Sequence, residues 1–306
     1  MKIKKSLIKT LISAALIILV LSLLDLNELI AEVKQASWWG IAIVIVGYFV
    51  GQCLSCFKWC LLAKHGGINT DFPQAFKAYF TGMFANSFGL GVLGGDVARA
   101  LLISKQKDPK TVCMASVIAD RLHGMTILCL IGFSAAMIFG THTVQPKIMS
   151  FVILLEVAII IGWFIGPWAL KRLPLKGKLK STAEQVAAVF PHKLGPLLII
   201  SSIGALFHIT QISLHAVMAY SLGANVPLSV LFVVIPFVNI LATLPISWNG
   251  VGVRESGYLF FLTPLFLARP EAVAFGGIWL LAVTINSALG GIIASIYGTN
   301  KLIREQ

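Results

Sequence analysis

An all-α polytopic integral membrane fold, with about six spanning helices and two re-entrant broken-helix regions related as an inverted repeat, is predicted by three observations. The 306 residues are 58% hydrophobic and only 12% charged, whereas soluble domains carry roughly 25% charged residues. Six segments, near 6–24, 38–60, 112–140, 148–170, 194–222 and 272–298, are long and apolar enough to cross a bilayer, which takes about 20 such residues. Two further stretches, within 72–105 and 227–267, are apolar but interrupted by glycine, proline and charge.

The first segment follows a lysine-rich start like that of a secretory signal. Its apolar run from Leu7 to Leu24 is long and no small-x-small cleavage site follows, so it is expected to remain as the first span. Trp38 and Trp39 open the second span, Trp59 closes it, and Trp168 ends the fourth, as aromatic residues do at membrane interfaces. Gly47-x-x-x-Gly51 and Gly162-x-x-x-Gly166 allow close helix packing. The five cysteines lie in apolar helical stretches without a second Cys or His pair, and read as packing residues. Neither a metal site nor a cofactor is expected.

The first irregular region holds Phe72–Phe88, a helix too short to cross, and the overlapping run Asn86-Ser-Phe-Gly-Leu-Gly-Val-Leu-Gly-Gly-Asp-Val-Ala-Arg99. Gly89, Gly91 and Gly94 match G-x-G-x-x-G, but the dinucleotide reading of that motif requires a preceding strand. A broken helix within the membrane fits better. The glycines then supply turn conformations, and Asp96 caps a second half-helix from Val97 to Ser104. The second region is broken by Pro236, Pro245 and Trp248-Asn-Gly-Val-Gly-Val-Arg-Glu255. Slid back by 159 positions, Gly250 falls on Gly91 and Glu255 on Asp96. Three spans separate the regions, so the two copies would enter from opposite faces, as in transporters with broken helices meeting near the midplane.

With both irregular regions entering and leaving by one face, basic residues sort to one side. Lys2, Lys4, Lys5, Lys9, Lys64, Lys77, Lys105, Lys107, Lys110, the loop Lys171–Lys193, Lys301 and Arg304 lie inside, leaving Lys34, Lys147 and Arg269 outside. That asymmetry puts both termini in the cytoplasm and accounts for the net charge of +12 without nucleic acid. The 171–193 loop reads as a basic surface beside anionic lipid, or as a dock for a separate protein.

Charges at membrane depth are costly and usually face a cavity or one another. The candidates are Asp96, Arg99, Asp120, Arg121, His123, Glu156, His208, His215, Arg254 and Glu255. Asp96 with Arg121, Glu255 with Arg99 and Asp120 with Arg254 are candidate pairs. Either they form a packing network, or arginines and helix N-termini line a pocket for a phosphate while the acids hold an amine or balance charge. Glu156 suits a proton-coupling group or a hydrated interfacial acid.

Gly94-Gly95-Asp96-x-x-Arg99, the pair Asp120-Arg121, and Asn249-Gly-Val-Gly-Val-Arg254-Glu255 after a proline-broken helix resemble the flippase-like transmembrane family of lysylphosphatidylglycerol synthases. The resemblance covers nearly the whole chain. It implies a lipid-translocating module of a bacterial or archaeal inner membrane, moving aminoacylated phosphatidylglycerol or a lipid-linked sugar between leaflets. The sequence ends soon after Lys301, so a stand-alone membrane domain without the synthetase domain is expected, and no enzyme activity. The implied substrate-binding set is Asn86, Gly94, Gly95, Asp96, Arg99, Asp120, Arg121, Asn249, Gly250, Gly252, Arg254 and Glu255. A homodimer, or a separate synthetase or glycosyltransferase, would be the partner. The competing readings are an integral-membrane transferase acting on a lipid or polyprenyl phosphate, with Asp96 or Asp120 as base, and a membrane anchor for a synthetase.

Overall fold

A computed structural model describes residues 34–88, 91–104, 109–139, 146–191, 193–243, 247, 250–263 and 265–297. The expected first span at 6–24, together with Pro245, Trp248 and Asn249, lies outside the described residues. Ten helices and no strand are found among those described: α1 Trp38–His65, α2 Phe72–Phe88, α3 Gly91–Ile103, α4 Lys110–Phe139, α5 Pro146–Arg172, α6 Gly177–Ala188, α7 Leu194–Ser221, α8 Leu228–Thr243, α9 Val253–Leu262 and α10 Arg269–Tyr297. Four of them, α1, α4, α7 and α10, are long and apolar enough to cross a membrane, and α5 contains the apolar stretch Ile153–Gly166. The protein is an all-α polytopic membrane protein.

Local chemistry sets the helix ends. The Asp71 carboxylate accepts the Gln74 N–H at 2.8 Å and caps α2, while the Glu271 carboxylate accepts the Ala268 N–H at 2.8 Å ahead of α10. Both α1 and α7 finish in the same way. Gly67 and Gly223 take positive φ, Ile68 N–H reaches Ala63 O, and Ala224 N–H reaches Ala219 O, a Schellman closure that needs glycine at the left-handed position. Pro236 sits within α8, which continues to Thr243 instead of breaking there. The segment 171–193, expected as a loop, contains α6, whose buried Ala183 and Ala187 pack inward.

Helix bounds recur along the chain. Trp38 and Leu194 start, and His65 and Ser221 end, helices 156 positions apart; α2 and α8 also start 156 apart. Beyond the interruption the spacing becomes 159, between the ends of α3 and α9 and between the starts of α4 and α10. Each quartet therefore runs long, short, short, long, with α5 and α6 between the two.

The chain forms two compact units, and α1, α4, α7 and α10 each contribute one segment to each. Of the described residues, one unit takes those up to 49 with 131–152 and 209–286, and so contains α8 and α9; the other takes 50–130, 153–208 and those from 287 on, and contains α2, α3 and α6.

In the α2–α3 unit, Gly82 and Gly95 bring the short helices together. A Cβ on Gly95 would collide with the Asn86 amide oxygen and with Gly82 O. Gly290 of α10 meets the backbone oxygen of Phe80 equally closely. In the α8–α9 unit, Gly47 packs on Leu214, and Asn286 donates to Ile45 O at 3.2 Å and Ala282 O at 2.8 Å. Gly162 and Gly166 meet nothing within 4 Å of where a Cβ would stand, so this second GxxxG pair is not a packing seam among the described residues.

Candidate functional site

The glycine-rich run is more helical than its sequence suggests. Helix α3 begins at Gly91, so Asp96 is its sixth residue rather than its N-cap. Gly91, Gly94 and Gly95 all lie within α3, and close approach rather than a turn explains Gly95. Starting the helix two turns before Arg99 puts Asp96 and Arg99 one turn apart on the face turned towards α4.

There the charges form a chain. Arg121 grips Asp96 with two guanidinium nitrogens, Nε to Oδ2 and Nη2 to Oδ1 at 2.9 Å. Arg99 Nε lies 3.4 Å from Asp96 Oδ1, and its Nη1 donates to Asp120 Oδ2 at 3.1 Å. Lys58 of α1 completes the chain, with Nζ 3.1 Å from Asp120 Oδ1 and 3.2 Å from Asp120 O. Three cations thus share two carboxylates. Lys58, Asp96, Arg99 and Asp120 are buried, and only the Arg121 side chain, 36% exposed, reaches the edge.

The surroundings hold Arg99 in place. Its guanidinium lies 4.9 Å from the Trp59 ring centroid and 5.4 Å from that of Tyr79, within cation–π range. Trp59 donates to Ser116 Oγ at 3.2 Å and is fully buried. Tyr79 Oη lies 3.0 Å from Gln52 Oε1 and from Ser55 Oγ. An amide oxygen only accepts, so Tyr79 donates to Gln52 and Ser55 donates to Tyr79.

The sequence had paired Asp96 with Arg121, and that pair forms. Asp120 is taken by Lys58 and Arg99 in place of the expected Arg254. Lys58 was overlooked, although a lone lysine inside an apolar span is itself the signal of a buried partner.

The second acidic motif is built differently. Gly250 and Gly252 have φ of 78° and 84°, and a Cβ on Gly250 would stand 2.9 Å from that of Ala242. Glu255, the third residue of α9, accepts the Gly252 N–H at 2.6 Å. This is half a capping box, since glycine has no side chain to return the bond. The Glu255 carboxylate thus serves its own helix end in place of the expected Arg99 partner. Arg254 lies within electrostatic reach of Tyr48, His215 and Tyr258.

The histidines are individually held. His208 Nε2 donates to Gly124 O at 2.9 Å. His215 Nδ1 donates to Gln211 O at 2.8 Å, which leaves Nε2 to accept from the Tyr258 hydroxyl at 3.1 Å. Among the described residues no group of three or more His, Cys, Asp or Glu side chains could hold a metal ion.

The structure thus brings Asp96, Arg99, Asp120 and Arg121 together in one unit, with Asn86 and Gly95 at the α2–α3 contact beside them. It places Gly250, Gly252, Arg254 and Glu255 in the other unit. Gly94 lies within α3 but takes no part in the ion pairs. A comparison with curated proteins returned no match. The family described as the lysylphosphatidylglycerol synthase TM region matches residues 6–290. With an all-helical membrane fold and a match over nearly its whole length, the chain belongs to the lysylphosphatidylglycerol synthase transmembrane-region family.

Proposed function

We propose that the protein moves a phosphate-bearing lipid between the leaflets of the membrane, with the Lys58–Asp120–Arg99–Asp96–Arg121 chain as the site for its phosphate. The observation that carries this reading is the surplus cation: three basic groups against two carboxylates, four of the five buried, in a unit made of apolar helices. An excess positive charge in such surroundings attracts an anion far more strongly than it would in water. Arg121 is the group to meet a phosphate, because its planar fork already holds a carboxylate at the half-exposed end of the chain, and phosphate can be bound with the same geometry. Arg99 is enclosed by two acids and two rings, and acts as the strut that fixes the two carboxylates.

Family membership supports a membrane-lipid role. The recurrence of long, short, short, long helices supports an inverted repeat with re-entrant pairs, and hence alternating access. Aminoacylated phosphatidylglycerol and a lipid-linked sugar phosphate are the cargo candidates, and the lysine-rich side of the chain is assigned to the cytoplasm. The test is translocation in proteoliposomes of headgroup-labelled phosphatidylglycerol, its lysyl ester and a polyprenyl-linked sugar phosphate. Wild type is compared with Arg121→Gln, each checked for folding. Accelerated movement of one lipid, lost in the folded variant, supports the reading and names the cargo. Movement of none of the three would end it.

A further inference from the structure

Helix α5 lies between the two quartets and carries an acid with no counterpart in either. Glu156 is completely buried, and neither of its carboxyl oxygens has a hydrogen-bond partner among the described residues. The two buried aspartates of the same unit each have two cations. An ionised carboxylate left without donors in an apolar interior is far costlier than a neutral one. The carboxyl in this state therefore carries its proton.

Its neighbours form a seam towards the charged chain. Trp163 is seven residues, about two turns, further along α5 and so on nearly the same face. The Trp163 indole meets the His123 ring of α4 edge-on, with centroids 4.9 Å apart. Cys129, nearly two turns beyond His123 on α4, is within electrostatic reach of Glu156. The ring contact and this pairing run in opposite directions along the two helices, as an antiparallel pair requires. His123 is buried; its Nε2 lies 3.1 Å from Ser201 Oγ, while Nδ1 has no hydrogen-bond partner among the described residues. His123 and Lys58 meet over Gly204 of α7, with His123 Cε1 and Lys58 Cδ 3.4 and 3.5 Å from where a Cβ there would stand, and Lys58 Nζ and His208 Nε2 lie 3.2 and 3.9 Å from the same point at Gly124. The ionisable groups along this seam are thus Cys129 and His123 on α4, His208 on α7, and Lys58, which leads to Asp120.

We propose that Glu156 is a reversible proton-binding site, coupled through His123 to the Lys58–Asp120–Arg99–Asp96–Arg121 chain. Glu156 exchanges one proton with water, carboxyl to carboxylate and back, and no other bond changes. An anion arriving at Arg121 adds negative charge to the unit and favours the protonated form; its departure favours release. Proton binding stands on the seam alone, and its use in transport rests on the lipid reading above.

The experiment is infrared difference spectroscopy on the full chain in liposomes while pH is stepped, followed by translocation of labelled phosphatidylglycerol under opposed pH gradients. Expected is a protonated-carboxyl C=O band that comes and goes reversibly with pH, is lost in Glu156→Gln and is shifted in frequency in Glu156→Asp. Arg121→Gln, by removing a positive charge, should move its titration midpoint upward. Gradient direction should change the wild-type lipid rate several-fold and leave the Glu156→Gln rate unchanged. Difference spectra identical in wild type and Glu156→Gln would overturn the proton site. Lipid movement that keeps its gradient dependence in Glu156→Gln would overturn the coupling while the lipid reading stands. A Glu156 band without any lipid movement would support the proton site and count against the lipid reading alone.

Discussion

Trp59, Arg99 and Asp120 recur, 156 positions on for the first and 159 for the other two, as His215, Tyr258 and Trp279. Each triad is drawn from three helices, α1, α3 and α4 in one case and α7, α9 and α10 in the other, and each is internally bonded. In the α2–α3 unit Arg99 lies against Trp59 and is paired with Asp120. In the α8–α9 unit Tyr258 bonds to His215, and His215 lies against Trp279 with centroids 4.2 Å apart. One interior is ionic and the other aromatic. The same difference separates the two acids, because Asp96 binds two arginines whereas Glu255 binds a backbone N–H. The buried chain of ion pairs thus lies in the α2–α3 unit, while the matching triad of the α8–α9 unit is uncharged, which is why we place the anion site in the former.

The largest expected effect comes from removing the hub of the ionic triad. Asp120→Asn leaves Lys58 and Arg99 buried without their carboxylate, and breaking a buried pair in this way costs about 3–5 kcal/mol. Trp279→Phe at the matching position removes volume but strands no charge, and should cost less. Denaturant unfolding in detergent micelles measures both. If Asp120→Asn loses no more stability than Trp279→Phe, the ionic interior does not depend on the pairing and the contrast fails.

Two intermediate effects sharpen it. Gly95→Ala must displace the Gly82 backbone or the Asn86 amide. Overpacking of about 1–3 kcal/mol should outweigh the gain of roughly 1 kcal/mol in helix propensity, lowering the unfolding midpoint. The matching position is Arg254, so this particular contact has no glycine counterpart there, and in the other unit it is Gly250 that meets Ala242 of α8. Tyr258→Phe deprives the fully buried His215 Nε2 of its donor, at about 1–3 kcal/mol. It should leave lipid movement intact in a protein that remains folded, whereas Arg121→Gln should not.

How much of this was legible in the sequence depends on the range of the interaction. Apolar length gave the four long helices α1, α4, α7 and α10, and Phe72–Phe88 came out as a helix with those very bounds, because local composition decides them. The Asp96–Arg121 pair could be proposed because each residue is an expensive charge within an apolar segment. Whether Asp96 capped or continued its helix could not be read. Glycine serves equally for a turn and for helix contact, and only the approach of Gly82 distinguishes the two at Gly95. Lys58 was passed over as one residue of an apolar span, and its partner lies 62 positions away. The segment 171–193 read as a loop for a similar reason, since α6 owes its place to Ala183 and Ala187, small residues with a weak apolar signal.

The smallest expected effect separates the two acids most cleanly. Glu255 lies at the third position of α9, where a negative charge meets the positive end of the helix and an oxygen can accept the Gly252 N–H. Glu255→Gln keeps the acceptor and removes the charge, so only the charge–dipole part is lost, about 0.3–1 kcal/mol. Asp96→Asn makes the same chemical change at the aligned position, but there it leaves the Arg121 fork without its anion and lowers the negative charge of a chain already short of it. The expected outcome is a small loss of stability with unchanged lipid movement for Glu255→Gln, and abolished movement for folded Asp96→Asn. Equal loss of transport in both would mean that the α9 acid also faces the cargo, and that the charge asymmetry between the two units is one of packing and not of function.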